Sequence, residues 1–172
     1  GTSVGSLKKI KNVVKIVISY VKKKYKVIVV SSAMEGVTNE LLLKTQNIAK
    51  NFPEEEKDVI LSTGEQIACA LIAGKLNDLG YKSRSLLGWQ IPIITSGNYS
   101  SSRIIEIKKK NIVNYIKKGG IPVITGFQGI NNDFRITTLE RGGSDTSAIL
   151  CAKFFKADKC IICLLYTSDA AD

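Results

Sequence analysis

Residues 137–146 read TTLERGGSDT and stand directly before an apolar run. Two adjacent glycines, Gly142 and Gly143, let the backbone turn tightly and expose its N–H groups. A helix starting there adds further unpaired N–H groups and the positive end of its dipole. Arg141 contributes a planar fork of donors suited to a carboxylate or a phosphate. The segment reads equally as an anion site or as a plain helix cap with Ser144 or Asp145 as cap residue. Three other places could do chemistry. Gly1-Thr2-Ser3-Val4-Gly5 opens the first helical stretch, where small residues can cradle a phosphate or simply cap. Residues 32–38 follow a buried strand, and their hydroxyls can bond a polar ligand or cap the next helix. Gly64-Glu65 reads as a helix start. A carboxylate there is favoured by the dipole without any function, or it pairs with a substrate ammonium group.

The elements that must position these residues follow from periodicity. Leu7, Ile10, Val14, Val17 and Val21 recur at helical spacing, so residues 6–22 are predicted to form an amphipathic helix. Residues 26–30 are a short β-branched run, as expected of a buried parallel strand. Thr38 or Asn39 can cap a helix over 40–50. Residues 51–56 read as a connector, and a helix over 65–79 stops at Gly80. Strands are expected at 81–87, 91–95 and 103–107. A helix over 108–118 ends at Gly119-Gly120. A strand over 121–125 carries Pro122 near its start, where proline is tolerated. A loop rich in Gly, Asn and Thr comes next, then a helix over 144–155, and 159–162 begins one more strand. Alternating strands and helices predict an α/β sheet covered on both faces. Ligands in such sheets sit where loops leave the carboxyl ends of strands. Three such loops are rich in small polar residues: 31–38, 125–131 and 137–145.

Composition narrows the function classes. The chain has 172 residues, 44% of them apolar, which suits one folded domain or a large piece of one. It has no run of about 18 apolar residues, the signature of a membrane-spanning helix. The opening GTSVGSLKKIK has no apolar core of a secretory signal, so a cytoplasmic location is expected. The net charge of +10 admits nucleic acid as a partner. However, the lysines fall in short runs near helix ends, where they are ordinary solvated residues. No aromatic residues interleave with those runs as a single-strand groove would want. Phosphate-bearing small ligands suit the charge as well. Of Cys69, Cys151, Cys160 and Cys163, only the last two form a C-x-x-C pair, and the chain has no histidine to complete a zinc site. Reduced, buried thiols are expected, and no metal-ligating set is assigned.

Taken in order, GTSVG, VVSSAMEGVTNELL, STGEQIACALIAGKL, GWQIPIIT, VITGFQGIN and TTLERGGSDTSA resemble the aspartate kinase family from residue 1 to about 162. RGGSDT alone is shared more loosely by related amino-acid kinases. The resemblance implies a three-layer α/β/α sandwich of the amino-acid kinase (carbamate kinase-like) fold, incomplete at both ends. Residues 1–162 would be a partial catalytic domain. It implies an ATP:L-aspartate 4-phosphotransferase that uses ATP and Mg²⁺ and makes 4-phospho-L-aspartate, the start of the route to lysine, threonine and methionine. It also implies that the full-length protein is a homo-oligomer. By likeness to the family, Ser32 and Thr38 line the aspartate site, Glu65 contacts the substrate amino group, and Phe127 lies beside the substrate. Arg141 pairs with the substrate carboxylate, and Ser144 adds a hydrogen bond. Arg141 and Asp145 are the implied catalytic residues, Asp145 organising the site. Gly1, Thr2 and Ser3 match the phosphate loop. The nucleophile, a carboxylate, is already ionised at neutral pH, so phosphoryl transfer needs positioning and charge neutralisation rather than a strong base.

Three departures from the family pattern stand out. The usual Lys-Phe-Gly-Gly-Thr-Ser is represented only from its second glycine, so the phosphate-contacting lysine and a central strand are not in the sequence. The chain alone is therefore expected to be inactive and poorly folded. Glu140 stands where the family generally has glycine, and it would be strained if that position required positive φ. Residues 163–172 do not continue the family pattern and read as a non-native tail. Other readings are an amino-acid kinase acting on glutamate or N-acetylglutamate, a basic nucleic-acid-binding module, and a non-catalytic relative, the last supported by Glu140 alone.

Overall fold

The computed structural model describes residues 7–140 and 142–163. The elements are α1 (Leu7–Lys22), β1 (Val29–Ser31), α2 (Val37–Ile48), α3 (Glu54–Asp78), β2 (Ser83–Leu86), β3 (Ile93–Thr95), β4 (Ile104–Ile107), α4 (Lys110–Lys117), β5 (Ile121–Thr125), β6 (Gln128–Ile130), β7 (Ile136–Thr138) and α5 (Gly143–Phe155).

The IPVIT segment is buried at every position, as a parallel strand covered on both faces must be. β5 is accordingly the middle strand of a parallel sheet ordered β1-β5-β2. Strand side chains alternate between faces, and that alternation builds the layers. Val123 points into a core made with Ile10, Val14 and Val17 of α1 and Ile72 and Leu76 of α3. Its neighbour Ile124 points into a second core with Ile93, Ile107, Ile112 and Cys151, reaching α4 and α5. Helices therefore cover both faces, giving the expected three-layer α/β/α arrangement. Pro122 is tolerated because the ladder to β1 begins only at Val123.

The remaining strands form a second, mixed sheet ordered β4-β3-β6-β7 rather than extending the first. Its β6–β7 hairpin falls in segments expected to be loop. These strands are three residues each and rich in Gly, Gln and Thr, so no apolar alternation marks them. Their stability comes from elsewhere. Asn131 Oδ1 accepts from the N–H groups of Asp133 and Arg135 and closes the turn. Thr95 and Thr137 hydroxyls meet at 2.7 Å inside the sheet.

Three further expectations are corrected. α3 starts at Glu54, not 65, because Pro53 followed by three glutamates is a helix N-terminus rather than a connector. By length and composition α3 could cross a bilayer, yet half of that stretch is buried inside the fold; it is the core helix. Residues 159–162 form no strand and are exposed. Cys160 and Cys163 are likewise exposed, whereas Cys69 and Cys151 are buried as expected. Residues 164–172, and with them most of the predicted tail, lie outside the described residues.

Candidate functional site

Two helices begin at left-handed glycines. Gly36 (φ 82°) precedes α2 and Gly142 (φ 82°) precedes α5, and neither helix start is capped by a side chain. Positive φ is a conformation that glycine adopts without the strain a Cβ would bring. The expected side-chain caps, Thr38 or Asn39 for α2 and Ser144 or Asp145 for α5, are therefore not used: all four residues lie inside the helices. Glu140 is not among the residues with positive φ, so the strain anticipated there does not arise. Gly142 takes the special conformation instead.

Glu65 is placed differently from its expected position. It lies eleven residues into α3, away from any helix end, and is only 3% exposed. One carboxyl oxygen accepts from the Ala33 N–H at 3.0 Å, which ties α3 to the loop after β1. The other oxygen, Oε2, has no hydrogen-bond partner among the described residues. Burial pushes the Glu65 carboxyl up to about 7, against the lowering effect of the Ala33 N–H. Gly64 makes this approach possible, since a Cβ there would lie 2.8 Å from the Ala33 Cβ and 3.3 Å from Val37. One turn further on, the Cys69 thiol is pushed well above its usual range by burial and by the Glu65 charge.

Phe127 is a non-glycine residue in the left-handed region, at φ 64°, a conformation that costs on the order of 1 kcal/mol and persists only where surroundings enforce it. Those surroundings are visible. Its N–H donates to Ser147 Oγ at 3.0 Å, its carbonyl accepts from the Leu139 N–H at 2.8 Å, and its ring packs against Gly143. Thus β5, β7 and the start of α5 are locked around Phe127.

The predicted residues fall into linked sets. Ser32, Ser144 and Asp145 line one groove of about 380 Å³ between α1, β1 and α5. Glu65 joins this region through Ala33, and Phe127 joins it through Gly143 and Ser147. Thr38 lies in the first turn of α2, whose Val37 approaches Gly64. Arg141, Gly1, Thr2 and Ser3 lie outside the described residues. Among the described residues no cluster of three or more His, Cys, Asp or Glu side chains could hold a metal ion.

Sequence reasoning missed Asp58. It is fully buried, and both its oxygens accept hydrogen bonds: from Thr138 N–H (2.7 Å), Thr138 Oγ1 (2.6 Å) and Ser100 N–H (2.9 and 3.1 Å), while the Ser100 hydroxyl donates to Glu54 Oε2 at 2.6 Å. The available signal was the seven-residue spacing of Asp58 and Glu65 in an apolar stretch, two turns apart on one helix face. It is invisible while residues 51–56 are read as a connector.

These features define an α/β/α domain whose polar loops gather at the carboxyl ends of parallel strands, around two glycine-led helix starts and a buried carboxyl group with an unpartnered oxygen. The chain belongs to the amino acid kinase family, whose model matches residues 1–164. It is 44% identical over 162 residues to an aspartokinase of Geobacillus stearothermophilus, covering 94% of this chain and 40% of that one. It is 44% identical over 167 residues to an aspartokinase of Rickettsia conorii, covering 94% and 41%. The chain thus spans about two fifths of these relatives' length. Among solved structures, the aspartate kinase from Synechocystis matches with a TM-score of 0.77 and 37% identity, covering 93% of this chain and 26% of that one. Escherichia coli aspartokinase III in complex with aspartate and ADP shares the fold, with a TM-score of 0.78 at 20% identity, covering 92% and 46%.

Proposed function

We propose that this chain is the amino-acid-binding part of an aspartate kinase, which transfers the γ-phosphate of ATP to the side-chain carboxylate of L-aspartate and yields 4-phospho-L-aspartate. The observation that carries the reading is Glu65. A buried carboxyl with one oxygen fixed by a backbone N–H and the other unpartnered suits a ligand ammonium group, and such a partner would favour its charged form. It occurs in a chain 44% identical to aspartokinases over 94% of its length.

In this reading Glu65 holds the substrate ammonium, while Ser32, Thr38 and Ser144 supply hydrogen bonds around the substrate. Phe127 closes one side. Arg141 pairs with a substrate carboxylate, and Gly1, Thr2 and Ser3 contact phosphate. Asp145, exposed in the first turn of α5, orders the polar groups around the reacting centre. The attacking carboxylate is already ionised, so what remains for these residues is alignment and exclusion of competing geometries. Mg²⁺ would be carried largely by the nucleotide's phosphate oxygens and supply charge neutralisation there. By the same likeness the full-length protein acts in the cytoplasm as a homo-oligomer, which light scattering after size-exclusion chromatography checks.

The test is an ATP-dependent hydroxamate assay on the full-length polypeptide carrying this sequence, comparing L-aspartate, L-glutamate and N-acetyl-L-glutamate. Product with L-aspartate alone, lost in Glu65→Ala and Arg141→Ala, is expected. Product with glutamate or N-acetylglutamate instead would move the chain to another amino-acid kinase. No product from a folded protein that binds ATP would favour the non-catalytic reading.

A further inference from the structure

We propose that Asp58 is a positioning residue that sets one wall of the amino-acid pocket relative to the other, which Glu65 of the same helix holds; the proposal rests on the assignment of that pocket given above. Among the described residues, Asp58 touches none of those assigned to substrate. Its partners are the end of β7 and the 96–102 loop, 80 and 42 residues away in sequence. Ser100, held twice by the Asp58 carboxyl, is itself in the left-handed region at φ 59°, a conformation that needs enforcement. Ser102 N–H then donates to the Thr138 carbonyl at 3.0 Å, so loop and strand are clamped to each other as well as to α3.

The residues after Thr138 give the clamp its purpose. Leu139 bonds Phe127, Gly142 opens α5, and Ser144 and Asp145 come next in the chain. The position of Thr138 therefore sets where the 139–145 segment leaves the sheet. Two turns along the same face of α3, Glu65 fixes the opposite loop through Ala33. A helix of 25 residues is stiff, so the two walls share one reference, and their separation is fixed by the spacing of Asp58 and Glu65. Substrates differing by one methylene are discriminated by such a separation, with ratios of roughly 10 to 200-fold.

The experiment uses the full-length polypeptide with Asp58→Asn, Thr138→Val and Thr138→Ser. Asp58→Asn keeps the shape but presents an amide N–H₂ to donors. Thr138→Val removes one donor while keeping the β-branched shape, and serves should Asp58→Asn fail to fold. Thr138→Ser keeps both donors and is expected to behave as wild type. Asp58→Asn is expected to raise KM for L-aspartate by about 10 to 100-fold, to lower the preference for aspartate over glutamate, and to leave KM for ATP within about twofold; Thr138→Val shifts in the same direction, less far. A purely structural Asp58 would instead lower kcat through a smaller active fraction with both KM values unchanged, and that result overturns the proposal. A second readout needs no substrate and separates this question from that of the reaction. Amide hydrogen exchange across 139–146 should quicken in Asp58→Asn and Thr138→Val while the amides of β5 stay unchanged. Unchanged exchange at 139–146, or equal acceleration everywhere, also overturns it, whichever amino acid the wild type proves to phosphorylate.

Discussion

Glu65→Gln is the sharpest perturbation this structure offers. Gln keeps an acceptor for the Ala33 N–H and nearly the same volume, and it is neutral at every pH. The native carboxyl is raised from 4.5 to about 7 by burial, which at about 1.4 kcal/mol per pH unit corresponds to about 3 kcal/mol. The sign comes from proton uptake. Below the unfolded pKa both states hold the proton, and the stability this gives is fully present. As pH rises from 4.5 to 7 the unfolded chain releases its proton first, so the wild type loses stability through that window and levels off above it. The Glu65→Gln variant has no such dependence, and all other titrations are common to both proteins. Urea unfolding at half-unit pH steps from about 4.5 to 8.5 should therefore show the variant gaining on the wild type, reaching a difference about 3 kcal/mol larger at about pH 8 than at about pH 4.5. Parallel curves would refute the argument, because they would mean that the buried carboxyl keeps its ordinary pKa and titrates alike in the folded and unfolded chain.

Two glycines should respond in opposite directions. In Gly129→Ala the new Cβ would lie 2.5 Å from both the Ile93 carbonyl oxygen and Thr95 Cγ2, where β6 pairs with β3. One of those atoms is backbone, so a loss of about 3 kcal/mol is expected in denaturant unfolding. Gly74→Ala, in α3 with nothing within 4 Å, should raise stability by about 0.5–1 kcal/mol, and a loss there would contradict the open space seen around it. Thiol titration at about pH 8 should find Cys160 and Cys163 reactive in the native protein and Cys69 and Cys151 reactive only after unfolding. Burial raises both of the latter, Cys151 to about 12, and rapid native labelling of all four would overturn that assignment.

Whatever is written in neighbouring residues was legible in the chain before it folded. The apolar stripe of α1, the IPVIT strand and the paired glycines before α5 are local patterns, because amphipathic periodicity, β-branching and freedom at positive φ act over a few residues. The resemblance to aspartate kinases rested on such segments too. Long-range packing supplied the rest. The division of the strands into two sheets depends on which edges meet, and β6 and β7 are too short and polar to announce themselves. Residues 51–56 read as a connector until α3, starting at Glu54, was seen packed against the sheet. Glu65 is a surface cap or a buried acid according to where that helix begins, and only burial raises its pKa. Asp58 is an unremarked aspartate in the chain; its meaning lies in donors 42 and 80 residues away, which no local pattern brings together and only the folded core does.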